Sequence, residues 1–160
     1  MRFEHLVQIN DRLMPLLTKV TRGQLWKALV LRAEEPTRFM FVLDACRIDQ
    51  RESTPDGFEL HRTLDFGNFV VNDRATLVVP NELVVETRAG ATWPASRLTI
   101  RIEEPEPESL FLRFVYESDE SVDTELDTLT DTLRRQAYEA ADLDMVVRIR
   151  QLVEDGALGI

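Results

Sequence analysis

The sequence predicts an α+β domain in which a curved antiparallel sheet of about seven strands wraps a long C-terminal helix. Two periodicities and one order carry this. Apolar residues alternate with polar ones through most of residues 46–117, with connections too short for parallel crossovers, which need about a dozen residues or more. The period then becomes helical from Ser121 to Asp155. The order is one strand, two short helices, about six strands and one long helix, so the terminal helix is the only element long enough to cover the sheet's buried face. At 160 residues the chain suits a single domain over 1–160 that buries roughly 70% of its unfolded surface without staples.

The first strand sets Phe3, His5, Val7 and Ile9 against Arg2, Glu4, Gln8 and Asn10, with Leu6 breaking the alternation. Thr21 and Gln24 form a T-x-x-Q capping box, and Val20 and Leu25 occupy the positions of a hydrophobic staple. The helix they start carries Leu25, Trp26, Leu29, Val30 and Ala33 on one face and should end at Pro36, whose ring disfavours helix in the residue before it. A second short helix is expected from Thr37 to Leu43. Strands follow at Arg47 to Glu52, Phe58 to Phe66, Arg74 to Val79, Leu83 to Arg88, Arg97 to Glu103 and Leu110 to Glu117, the first two joined by a Pro55-Asp56-Gly57 turn. Residues 67–73 read equally as strand or loop. The long helix places Val122, Leu126, Leu129, Leu133, Ala137 and Ala140 on one stripe, then Leu143, Val147 and Val146, with room for a break near Asp142 and a C-cap at Gly156.

Lys and Arg number 19 against 29 Asp and Glu, a formal charge of -10, which repels phosphate backbones and anionic membrane surfaces. Nucleic acid is therefore excluded as an expected partner. No apolar run approaches the roughly 20 residues of a membrane span or forms a secretory signal, so integral membrane association is not expected and a cytoplasmic location is. Cys46 has no partner for a disulfide and reads as a small buried side chain. There is no Gly-rich phosphate loop, no H-E-x-x-H and no Cys pair, and His5 and His61 lack ligand-spaced partners, so neither metal nor cofactor is implied. The carboxylate run from Glu103 to Glu108, broken by Pro105 and Pro107, reads as a solvated hairpin connection.

The order of elements resembles the START, birch-pollen-allergen and polyketide-cyclase (SRPBCC) superfamily over essentially the whole chain, which implies the helix-grip fold and an internal pocket for a hydrophobic small molecule. Four stretches look like the AtaL-like subgroup: Leu25-Trp26…Leu29…Arg32-Ala33-Glu34…Pro36, Leu64-Asp65-Phe66-Gly67, Asp73-Arg74-Ala75-Thr76-Leu77 and Ala137-Tyr138-Glu139-Ala140-Ala141-Asp142. That resemblance implies a fold and a pocket, and no particular reaction. The expected function is binding of a polyketide-, sterol- or aromatic-like compound by a carrier, sensor or sequestering protein. The alternatives are a polyketide cyclase or aromatase using the same pocket, and a co-chaperone-like interaction domain. Any homodimer would most simply be two-fold.

Strand phase nominates the inward side chains: Leu98, Ile100 and Ile102 on one strand, Leu112, Phe114 and Tyr116 on the next, with Leu126, Leu129 and Leu133 meeting them from the helix. His5 and Arg62 are polar residues in apolar phase. Each must be paired, hydrated or near an opening, and in a pocket such groups orient a ligand's carbonyl, hydroxyl or carboxylate. The competing readings are a local bulge that turns them to water, or a structural carboxylate paired with Arg62. Tyr116 offers a hydroxyl at the end of an apolar stripe. Trp26 is either packing beneath the sheet edge or a stacking surface.

Overall fold

The structure is a computed structural model that describes residues 1–119 and 125–159, with the backbone alone for 125–127. The elements follow the order β1 (Arg2–Gln8), α1 (Arg22–Glu34), a 3-10 turn (Pro36–Arg38), β2 (Ala45–Thr54), β3 (Gly57–Asp65), β4 (Val70–Val78), β5 (Glu82–Thr87), β6 (Ser96–Glu106), β7 (Ser109–Ser118) and α2 (Glu125–Glu154). Among the described residues seven strands form one antiparallel sheet ordered β1-β7-β6-β5-β4-β3-β2. The meander from β2 to β7 is closed by β1 returning beside β7, and this is the helix-grip arrangement.

Local chemistry explains the ends. Gln24 N donates to Thr21 Oγ1 at 3.1 Å and Thr21 N to Gln24 Oε1 at 2.9 Å, so the capping box forms, and Val20 and Leu25 are both fully buried at its staple positions. The helix expected from Thr37 to Leu43 contracts to the turn Pro36–Arg38, where Pro36 can open a turn but the chain must reach β2 within a few residues. Val70 to Asp73 join β4, while residues 66–69 form the connection, tied by Phe66 N to Phe69 O at 3.0 Å. At the far end Gly156 takes φ +77, and its N–H bonds Val153 O while Ala157 N–H bonds Leu152 O, a Schellman motif.

Two features of α2 answer what the sequence left open or placed differently. The helix runs through Asp142 without a break. Its sheet-facing side is Asp142, Met145, Val146, Ile149 and Leu152, all buried, preceded by the half-buried Arg134, Arg135 and Tyr138. Leu129, Leu133, Ala137, Ala140, Leu143 and Val147 are exposed, so the apolar stripe of the first half points to solvent. The reason is a phase change. The C-terminal half packs on a hydrocarbon core made by Val7, Ile9, Leu25, Leu29, Leu60, Leu77, Leu83, Ile100, Leu112 and Phe114. The first half instead faces polar groups that β1, β3, β4 and β7 aim inward, and it presents polar side chains to them. The expected helix start at Ser121 and Val122, and the Leu126 side chain, lie outside the described residues.

Candidate functional site

Between the sheet and the first half of α2 lies a cavity of about 480 Å³. Its apolar wall is Leu64 and Phe66 from β3 and its end, Phe69 and Val71 from the next connection and β4, Val85 from β5 and Leu98 from β6. Trp93 and Pro94 close one side, and Tyr138 and Arg134 of α2 lie across it. A second hollow of about 580 Å³ on the sheet is lined by Arg74, Glu86 and Arg97, which pair with each other at 2.9 and 3.3 Å and face solvent. It offers little apolar burial, so the first cavity is the better binding site.

In the cavity lining β3 and β4 place Arg62 directly opposite Asp73. Arg62 Nε and Nη2 donate to Asp73 Oδ1 and Oδ2 at 2.8 and 2.7 Å, and Nη1 donates to the Ala33 carbonyl at 2.8 Å. Both side chains are almost wholly buried, and this fork-to-carboxylate geometry satisfies the charges that burial would otherwise strand. Arg32, in the last turn of α1, lines the cavity beside them. Burial, and then repulsion from Arg62, pushes its guanidinium down to about 10, which leaves it charged at neutral pH.

A second polar cluster lies behind Tyr138. Tyr116 of β7 donates its hydroxyl to Asp142 Oδ1, and His5 Nδ1 of β1 lies 3.2 Å from Asp142 Oδ2. Tyr138 stacks on Tyr116 with ring centroids 3.9 Å apart and planes 4° from parallel, while Phe3 flanks Tyr116 and Phe114 flanks His5. Burial pushes the Asp142 carboxyl up to about 6, against the hydrogen bonds from Tyr116 and His5 and the charges of His5 and Arg32, which pull it down. Burial and the Asp142 charge hold the Tyr116 hydroxyl far above its ordinary value. The cluster is therefore a carboxyl that titrates near neutrality beside a phenol that stays protonated.

Of the residues nominated from sequence, Arg62 and Leu98 line the cavity. Ile100, Ile102, Leu112 and Phe114 share the inward face, as expected, yet they sit further along their strands in the closed core. Strand phase fixes the face and is blind to position along it. Trp26 packs against that core and does not line the cavity, and His5 and Tyr116 hold Asp142. Leu129 and Leu133 are on the exposed side of α2. Phase reasoning passed over Arg32, Phe66, Asp73, Tyr138 and Asp142. All five fall in the four stretches that carried the family resemblance, and Asp73 becomes visible as a partner for Arg62 once β3 and β4 are aligned.

The family model of AtaL, acetylaranotin biosynthesis cluster protein L, matches residues 7–156. Among solved structures the chain is similar to a START superfamily protein from Mycobacterium smegmatis, at 15% identity and a TM-score of 0.65 over 94% of this chain and 98% of that one. It is also similar to the Zhui aromatase/cyclase from a Streptomyces species, at 12% identity and a TM-score of 0.61 over 98% of this chain and 95% of that one. A third likeness is to the di-domain ARO/CYC StfQ from the steffimycin biosynthetic pathway, at 12% identity and a TM-score of 0.65 over 98% of this chain. The chain spans about half of that protein, 52% of its length. Identities this low speak to fold. No curated protein sequence matches, and no described helix is long and apolar enough to cross a membrane.

Proposed function

The chain belongs to the AtaL family, and from that premise we propose that it binds a hydrophobic small molecule, polyketide-, sterol- or aromatic-like, between the sheet and α2, as a carrier, sensor or sequestering protein. The observation that carries this reading is the cavity itself. A space of about 480 Å³ walled by Leu64, Phe66, Phe69, Val71, Val85 and Leu98 would take a compound of several fused rings out of water, with Arg32, Arg62 and Asp73 set among the apolar groups. Native mass spectrometry of the freshly purified protein, followed by organic extraction, tests it. The expected result is a stoichiometric apolar adduct that Leu98→Trp abolishes. A bare chain whose melting temperature is unmoved by polyketide, sterol and fatty-acid probes would contradict it.

A second reading, a cyclase or aromatase acting in the same cavity, is favoured by one observation. Asp142, poised near neutral pH, contacts Tyr116, and Tyr116 stacks on the cavity-lining Tyr138, so a proton-transfer group stands one aromatic layer behind the ligand space. With a polyketide-like substrate, Asp142→Asn would abolish turnover and leave probe binding intact under this reading. Under the carrier reading there is no turnover to lose.

A further inference from the structure

Arg32 lines the cavity, yet among the described residues it makes no hydrogen bond and no ion pair. The carboxylates that reach it are already committed. Asp73 gives both oxygens to Arg62, and Asp142 gives one to the Tyr116 hydroxyl and sets the other against His5. These two attract Arg32 through space alone, while Arg62 repels it. A half-buried guanidinium with its donor fork unfilled is costly unless something outside the protein fills it.

The charge balance of the cavity points the same way. Among the described residues of the lining, Arg62 and Asp73 neutralise each other and Arg32 is left without a carboxylate of its own, in a protein whose formal charge is -10. The cavity is locally cationic inside an acidic molecule, which selects for negative charge in what enters.

Resting on the binding role proposed above, we infer that the ligand carries an anionic group, a carboxylate, enolate or acidic phenolate, that docks on the Arg32 guanidinium while its apolar body lies on the Leu64, Val85 and Leu98 wall. The ligand class is thereby narrowed from hydrophobic compounds to amphipathic acids. Neutral sterols and hydrocarbons would leave the guanidinium dry and unpaired.

A matched pair of fluorescent probes tests this: 1-anilinonaphthalene-8-sulfonate and N-phenyl-1-naphthylamine, which share one aromatic skeleton and differ by the anion. The intact protein should bind the sulfonate more tightly, by about 10- to 100-fold, the range of a charge-assisted hydrogen-bonded pair. Arg32→Met should erase that preference and leave the neutral probe's affinity within about two-fold, while Arg32→Lys, which keeps the charge without the fork, should retain part of it. Arg32→Met should also raise the melting temperature, since it removes an unpaired charge. An unchanged preference in Arg32→Met, or a lowered melting temperature with no change in preference, would overturn the inference and leave Arg32 as a stabiliser of the α1 C-terminus. Equal affinity of the intact protein for both probes, abolished by Leu98→Trp, would overturn the anion inference alone. Failure of both probes to bind would overturn it together with the binding role.

Discussion

Asp142 is where burial and hydrogen bonding oppose each other, and the balance sets a pH dependence. Its folded value near 6 stands above its ordinary 3.8, so the folded protein holds a proton that the unfolded chain releases between those values. The stability this group contributes is full below 3.8 and is lost as pH rises through about 6. Lowering the pH from about 7 to about 5 should therefore stabilise the protein by about 1 kcal/mol relative to Asp142→Asn. Urea titrations at the two pH values check this; a constant difference between the two proteins would remove Asp142 as the titrating group. His5, Tyr116 and Arg32 are the polar groups set around it from β1, β7 and α1. Arg62 makes a different prediction. Replacing it with Ala strands Asp73, and loss of one partner from a buried pair should cost about 3–5 kcal/mol. Chemical denaturation measures that cost, and a value below about 1 kcal/mol would mean that water reaches Asp73. At this scale the sequence shows that Arg62 is anomalous in its strand, because alternation alone places a charge among leucines. It does not show whether the answer is a ligand or a carboxylate, since Asp73 becomes the partner only when β3 and β4 are brought into register.

The strands from β3 to β7 are legible because a period of two runs through most of each and each sets buried residues on one face; β2, at the sheet edge, has no buried residue. α2 is where the same logic fails. Counting apolar residues at helical spacing selects Leu129, Leu133 and Leu143, all exposed, and ranks Arg134, Tyr138 and Asp142 as the polar side. The rule that the apolar face is buried assumes an apolar surface opposite, and the sheet there presents Arg62, Asp73, His5 and Tyr116. Such a failure of local rules belongs at a functional site. The orientation of α2 is tested by substitution on its two faces. Leu129→Lys and Leu133→Lys should each change stability by less than about 0.5 kcal/mol, whereas Ile149→Ala should cost about 2–5 kcal/mol. A loss of several kcal/mol from either lysine variant would restore the leucine stripe to the core.

Across the whole molecule one sheet does two jobs. The end of its concave face nearest the C-terminal half of α2 is closed by hydrocarbon, with Leu77, Leu83, Ile100, Leu112 and Phe114 in one buried cluster with Leu25 and Leu29 of α1 and Val146 and Ile149 of α2. The other end opens into the cavity, where apolar wall and guanidiniums meet. Neither strand phase nor composition separates packed core from pocket wall, because both ask for the same aliphatic side chains on the same face; the family resemblance supplied the pocket, and the three-dimensional register supplied its position. The two tryptophans fall on opposite sides of that division. Trp93 lines the cavity, its Nε1 donating to Arg88 O at 3.0 Å, while Trp26 packs on the closed core. Titration of ¹⁵N-labelled protein with N-phenyl-1-naphthylamine, following the two indole N–H resonances, therefore reports directly on where an apolar ligand sits. A probe seated in the cavity gives a saturable shift of the Trp93 indole, with the backbone amides of residues 64–71 and 93–98 moving alongside it and the Trp26 indole unmoved. A shift of Trp26 in place of Trp93, or no shift at all at saturating probe, would contradict that placement.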